Sequence, residues 1–234
     1  MASLLAALST YIDEDSHCIS ITGSGGKTTT LIALASLYAQ RGKRVLVSTT
    51  TKLELPSKRD YLCDTYFSDE RIQLYKPSKG QKVFYALQGT EKALAPPLEE
   101  LQALTATYDV LLLEADGAQH KPLKFHSERD PVVPDFTTTT LAVVGMSGWD
   151  QPLGQCCFGW EGDPDRIADE NAYLQLLTHP QGVLKAAVGK TLVLCNQAER
   201  TTFDTMSHLS SRYDLAPLFF GSMQTDRLFY RKVV

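Results

Sequence analysis

Short apolar runs alternate along the chain with stretches whose apolar positions recur every three or four residues. That alternation predicts a parallel sheet covered by helices on both faces. The first run, Cys18 to Thr22, leads straight into a glycine-rich turn. A helix follows from Thr28 to Gln40, where Leu31, Leu34, Ala35 and Tyr38 share one face and Gly42 stands as its stop. A second strand is expected from Arg44 to Thr49, ending in Thr50-Thr51-Lys52. The stretch from Ser57 to Gln102 breaks the rhythm. It holds a strand at Lys82 to Leu87 and a helix after Pro96-Pro97, and reads as a small β-containing segment inserted beside the main sheet. The alternation then resumes with strands at Tyr108 to Glu114, Thr140 to Gly145, Thr191 to Asn196 and Ala216 to Phe220. A proline-rich loop spans Lys121 to Pro134, and helices at Asp165 to Leu177 and Thr202 to Tyr213 separate the last three strands. The expectation is one α/β domain over residues 1–234, a mainly parallel sheet flanked by helices.

Composition narrows the classes. With 234 residues, 43% hydrophobic and 21% charged, the chain can bury a sizeable core. A net charge of −4 argues against a general nucleic-acid binder. No apolar run is long enough to span a bilayer. The apolar start from Met1 to Leu8 lacks a basic flank and breaks at Asp13-Glu14-Asp15, so it reads as an amphipathic helix rather than a signal peptide. The five cysteines show no CxxC spacing, so neither a zinc site nor a disulfide framework is suggested. The adjacent pair Cys156-Cys157 has two readings, a soft-metal or selenium ligand and a buried structural pair, of which the second is the commoner use of cysteine. A cytoplasmic protein without nucleic-acid or membrane partners is expected.

The chemistry concentrates in Gly23-Ser24-Gly25-Gly26-Lys27-Thr28-Thr29, between a strand and an amphipathic helix. Glycines let the backbone turn tightly and aim its N–H groups at phosphate oxygens, and the helix N-terminus adds partial positive charge. Lys27 is placed to reach the β- and γ-phosphates of ATP or GTP, and the Thr28 hydroxyl to bind Mg²⁺. The pattern GxxxxGK[ST] is not met, since Ile21 stands five residues before Gly26. The loop is shorter, and looks more like that of Mur ligases and related nucleoside triphosphatases. Such chemistry needs an acid near the metal. The strand Val110 to Glu114 ends in Glu114-Ala115-Asp116-Gly117, and alternation puts Glu114 and Asp116 on one side. One would support the ion and the other the attacking nucleophile.

Three further stretches carry weaker signals. The hydroxyls of Thr49 to Thr51 stand at the same strand edge, where open α/β folds bind ligands, although threonine is also an ordinary strand residue. Asn196-Gln197-Ala198-Glu199 follows an apolar run in the manner of the Asn-Lys-x-Asp base-reading strand of GTPases. Asn196 and Glu199 are therefore candidate base contacts, while Gln197 in place of lysine weakens a guanine preference. Lys121 and Lys124 are candidate contacts to phosphate or to a second anionic substrate, or simply charges on a solvated loop.

Taken together, Ile21 to Thr30, Thr49-Thr50-Thr51-Lys52, Leu113-Glu114-Ala115-Asp116-Gly117-Ala118, Lys121-Pro122-Leu123-Lys124 and Pro131-Val132-Val133-Pro134 resemble, in order, the selenium-dependent hydroxylase accessory proteins of the YqeC type. The resemblance implies a P-loop-type nucleoside triphosphatase that serves maturation of molybdenum hydroxylases carrying a labile selenium. It would make the hydroxylase or its maturation factors the protein partners. Two other readings stay open: a small-molecule kinase or Mur-like ligase, and a nucleotide-gated chaperone or switch without turnover.

Overall fold

Strands such as Val110–Glu114 and Thr139–Gly145 are buried at every residue, because both sides of each strand meet apolar partners. Ile19, Ile21, Val45, Val47, Leu112, Val143 and Leu194 pack on one face, with Leu31, Leu34 and Tyr38 of the second helix and Leu4 and Leu8 of the first. Their neighbours point the other way. Cys18, Leu46, Leu111 and Leu113 pack with Leu101 and Leu104, while Ala142, Val144, Val193 and Cys195 pack with Tyr173, Leu177 and Leu209. The period of two along each strand thus builds two apolar layers from continuous hydrophobic runs.

The computed structural model describes residues 2–12 and 16–233, so Met1 and the acidic break at Asp13-Glu14-Asp15 lie outside the described residues. In chain order the elements are α1 (Leu4–Tyr11), β1 (Cys18–Gly23), α2 (Lys27–Gln40), β2 (Val45–Thr49), β3 (Leu53–Glu54), β4 (Thr65–Phe67), β5 (Lys82–Tyr85), β6 (Lys92–Ala93), α3 (Leu98–Leu104) and β7 (Val110–Glu114). There follow β8 (Leu123–Lys124), β9 (Thr139–Gly145), α4 (Leu153–Cys156), β10 (Cys157–Phe158), α5 (Glu170–Thr178), β11 (Lys190–Asn196), α6 (Phe203–Ser211), β12 (Leu218–Ser222) and β13 (Arg227–Lys232). The main sheet has the order β13-β12-β11-β9-β1-β7-β2-β5-β4, and only the β12–β13 pairing is antiparallel. It is a mainly parallel α/β sheet of P-loop NTPase-like form. From β1 the chain runs outward over β7 to β2, whereas β7 returns over β1 to β9. The two directions part at β1, and the crevice at its C-terminal end is where such sheets bind ligands.

Local chemistry sets the helix ends. Gly42, at φ +77°, closes α2: its N–H bonds to the Ala39 carbonyl at 2.9 Å and that of Lys43 to the Tyr38 carbonyl at 3.0 Å. This is the paired bonding of a Schellman cap. The helix expected from Asp165 begins instead at Glu170, because Asp169 caps it by accepting from the Ala172 N–H at 2.9 Å. The stretch from Ser57 to Gln102 divides: β4 and β5 extend the main sheet in parallel, while β6 pairs with β3, just before the stretch, as a separate antiparallel ribbon. The strand expected at Ala216 to Phe220 lies two residues later, and β13 behind it is a partly exposed edge strand without a clean apolar alternation.

Candidate functional site

The turn after β1 is built for glycine at three positions. Gly23, Gly25 and Gly26 have φ values of +87°, +80° and +125°. A Cβ would stand 2.2 Å from the Val143 carbonyl oxygen at Gly23, 2.3 Å from the Gly145 Cα at Gly25 and 2.2 Å from the Asn196 amide nitrogen at Gly26. Backbone conformation and close approach both exclude other residues. Ser24 anchors the turn from behind, its N–H to the Val143 carbonyl at 2.8 Å and its hydroxyl to the Pro122 carbonyl at 2.7 Å. The Asn196 amide does the same, donating to the Gly25 carbonyl at 2.9 Å while its oxygen accepts from the Met223 N–H at 2.9 Å.

Lys27, at the first position of α2, is only 6% exposed. Its ammonium donates to the Gly23 carbonyl at 2.6 Å and pairs with Asp116 Oδ1 at 3.0 Å. The Thr28 hydroxyl donates to Glu114 Oε2 at 2.8 Å. Parallel pairing of β1 with β7, with Ile21 opposite Glu114, sets this meeting of loop and acids. Glu114 at the end of β7 thus meets Thr28, while Asp116, two residues past that strand, meets Lys27.

The two acids differ in role. Asp116 is fully buried; its Oδ2 accepts from the Gly23 N–H at 2.9 Å and from His126 Nε2 at 2.7 Å, with Lys124 Nζ at 3.4 Å. Burial alone would raise its pKa, but Lys27, His126 and Lys124 outweigh that and hold it at about 2. Its Oδ1 meets Lys27 as an ion pair without an aligned hydrogen bond. Glu114 faces a cavity of about 250 Å³ and is pushed up by burial, against the pull of Lys27. Asp116 does not line that cavity. It lies behind Lys27 as the centre of a buried charge network.

The cavity runs from Gly25, Gly26, Lys27, Thr28 and Thr29 to the β3–β6 ribbon and the segment after Glu114. Lys27, Lys52, Arg59, Lys92 and Lys121 line it against Glu54 and Glu114 alone among carboxylates. Its wall is thus cationic in a chain whose net charge is −4, which suits an anionic ligand. Arg59, Tyr61 and Lys92 were not singled out from sequence. They come from the stretch that broke the alternation, and no motif marks them.

Several expected contacts are engaged elsewhere. Lys124 is 1% exposed and is spent on Asp116, on Asp130 and on the Gly117 carbonyl. It braces Asp116 and is not open to phosphate. Lys121 lines the cavity, yet its ammonium bonds to the Gly154 and Cys157 carbonyls at 2.9 and 3.2 Å. Thr49 and Thr50 donate to the Glu114 and Val132 carbonyls at 2.8 and 2.6 Å, tying strand ends together. Glu199 is exposed in the single turn Ala198–Arg200 and is not brought to the cavity, while Asn196 is committed to the loop itself. Cys156 and Cys157 are buried among apolar side chains, and burial pushes Cys157 up to about 12, which disfavours the thiolate a soft metal needs.

The residues present fit magnesium and a phosphate chain. The donors are hard oxygens, the Thr28 hydroxyl and the Glu114 carboxylate, which line the cavity beside the glycine turn, whereas Asp116 is enclosed behind Lys27 and is not among them. Among the described residues no cluster of three or more histidine, cysteine, aspartate or glutamate side chains is placed to hold a metal ion.

Relatives place the chain. It is 28% identical over 181 residues to the uncharacterized protein YqeC of Escherichia coli (strain K12), an alignment that spans 71% of this chain and 70% of that protein. No solved structure matches it. A family model described as YqeC protein matches residues 19–161, which holds the glycine turn, both acids and the segment after them. The chain belongs to the YqeC family.

Proposed function

We propose that the protein binds ATP or GTP with Mg²⁺ at the glycine turn, hydrolyses it, and acts as an accessory factor in maturation of a selenium-dependent molybdenum hydroxylase. The observation that carries the nucleotide reading is the meeting of Lys27 and Thr28 with Glu114 and Asp116 across three glycines that admit no side chain. Backbone N–H groups of the turn and Lys27 would take the phosphates, and Thr28 with Glu114 would hold the metal. Bound there, magnesium would neutralise phosphate charge during transfer. Lys27 would exchange Asp116 for phosphate, and Asp116, braced by Lys124 and His126, would keep the lysine aimed. The accessory role is supported by family membership and by nothing in the site.

Isothermal calorimetry of Lys27→Ala tests the loop. Loss of charge-assisted hydrogen bonds worth about 1.5–3 kcal/mol each lowers nucleotide affinity at least about tenfold. Undiminished binding by the folded variant overturns the assignment. Association with the hydroxylase that is the same with and without nucleotide would argue against a nucleotide-driven accessory role.

A second reading, a kinase or ligase acting on a small anion, is favoured by the extension of the cavity to Arg59, Tyr61 and Lys92 beyond the glycine turn. Phosphorus NMR of the products separates the two, free phosphate alone marking hydrolysis.

A further inference from the structure

Asp116 is enclosed and paired, and Glu114, whose Oε2 accepts from Thr28, is given to the metal in the reading above, which leaves the orientation of a water molecule to another side chain. Cations along the cavity donate hydrogen bonds but cannot accept one. Gln197 accepts from the Ser147 hydroxyl at 2.5 Å, and the Tyr61 hydroxyl donates to the Glu54 carbonyl at 2.9 Å. Outside the glycine turn and its helix, Gln119 and His120 line the cavity with polar side chains that make no hydrogen bond among the described residues.

Their backbone is unusual. The Lys121 N–H bonds to the Ala118 carbonyl at 3.0 Å, and the two corner residues have φ values of +49° and +62°. Two successive positive φ values are the mark of a type I′ turn, a place for glycine, asparagine or aspartate. Gln119 has no such excuse, and holding it there costs stability. The turn is fixed from both sides. The Gly117 carbonyl accepts from Lys124, and the Pro122 carbonyl accepts from Ser24 of the glycine turn and from the Gly145 N–H at 2.9 Å. Strain kept in place by its surroundings at a cavity wall is the pattern of a functional element.

We propose that the strained turn at Gln119 holds the attacking water, with Gln119 as its positioning residue. The proposal rests on the hydrolytic reading above. In that reaction the water oxygen bonds to the terminal phosphorus and the bond from phosphorus to the diphosphate oxygen breaks. The diphosphate keeps that oxygen, one water hydrogen stays on the released phosphate, and the other leaves as a proton to solvent. The Gln119 amide oxygen accepts from the water, and its position is set by the clamp on Ser24 rather than by an acid.

Gln119→Gly separates this role from a structural one. Glycine adopts the positive φ freely, so the melting temperature holds or rises, while kcat for phosphate release falls about a hundredfold, the low end for loss of a positioned catalytic side chain. KM and the calorimetric nucleotide affinity stay within about threefold, because the residue does not hold phosphate. A kcat within twofold of wild type, or a joint fall in kcat and melting temperature, overturns the proposal. So does a loss confined to His120→Gly, which would move the role to the neighbour. Failure of the wild-type protein to bind nucleotide overturns the proposed function itself, whereas binding with unchanged turnover in the variant overturns the turn alone.

Discussion

At the scale of residues the site turns on two carboxylates with opposite electrostatics. Asp116 is held at about 2, below an ordinary value of 3.8, so the stability it contributes is present above pH ~4 and drains away as pH falls towards 2. Glu114 is raised, so its contribution runs the other way: the folded state binds its proton more tightly, and that advantage is lost as pH rises through the folded value. Glu114→Gln keeps an acceptor for the Thr28 hydroxyl and removes the cost of burying a charge. It is expected to raise the urea midpoint at pH 7 while abolishing magnesium-dependent turnover. Asp116→Asn leaves Lys27, Lys124 and His126 without their common anion, and unfolding at neutral pH should become easier by about 3–5 kcal/mol, the range for breaking a buried pair. Urea titrations at several pH values read both effects. If the Asn variant keeps the acid-induced loss below pH 4, Asp116 is not its source. Both acids were legible as a pair on one side of the chain, since a period of two fixes that much. Their different roles were not, because Lys124 and His126 reach Asp116 from a loop eight to ten residues further on.

Elements explain why the turn stays in shape. α1 covers one end of the sheet through Leu4 and Leu8, both fully buried, and Asp226 ties its first turn by accepting from the Ser3 hydroxyl and the Leu5 N–H, each at 2.8 Å. Gly221 of β12 admits this packing, for a Cβ there would come within 2.6 Å of a Leu4 methyl. Leu8→Ala should cost about 2–5 kcal/mol, the loss of transfer energy plus the cavity left behind, read as a lower urea midpoint without change in nucleotide affinity. A fall in affinity as large as the fall in stability would show that α1 and the glycine turn are coupled. The alternation of apolar runs predicted β1, α2, β2, β7, β9 and β11 closely. It missed β13, whose side chains are mostly half-exposed, and started α5 too early because Asp169 and not Asp165 supplies the cap. Periodicity reports burial. An edge strand or a cap is decided by a few local groups.

For the whole molecule the deciding features are topology and the field it creates. Crossing of the chain at β1 brings residues 25 to 29, 52 to 54, 59, 61, 92, 114 and 117 to 122 to one crevice. Its basic wall should make anion affinity depend on ionic strength, since exposed charges are screened over about 10 Å at 0.1 M salt. Binding to the native state alone raises stability by about 2.7 kcal/mol at a ligand concentration of 100 times Kd. A thermal-shift series with ATP, GTP and CTP plus Mg²⁺ is expected to show a rise that shrinks as sodium chloride is added. Because Asn196 holds the loop and Glu199 is away from the cavity, the series should discriminate weakly between bases. A strong preference for GTP would mean that Glu199 moves on binding.

By itself the sequence determined the layered α/β form, the glycine turn with Lys27 and Thr28, and the pairing of Glu114 with Asp116. Each follows from spacing within a few residues, where backbone geometry leaves little freedom. Tertiary structure alone decided that Lys124 is a buried brace, that Asn196 holds the loop, and that Arg59 and Lys92 reach the glycine turn across the β3–β6 ribbon. It also decided that Gln119 stands strained and unpartnered at the same cavity. These contacts join residues from eight to more than a hundred positions apart, and their partners are chosen by strand order and packing, which no local pattern encodes.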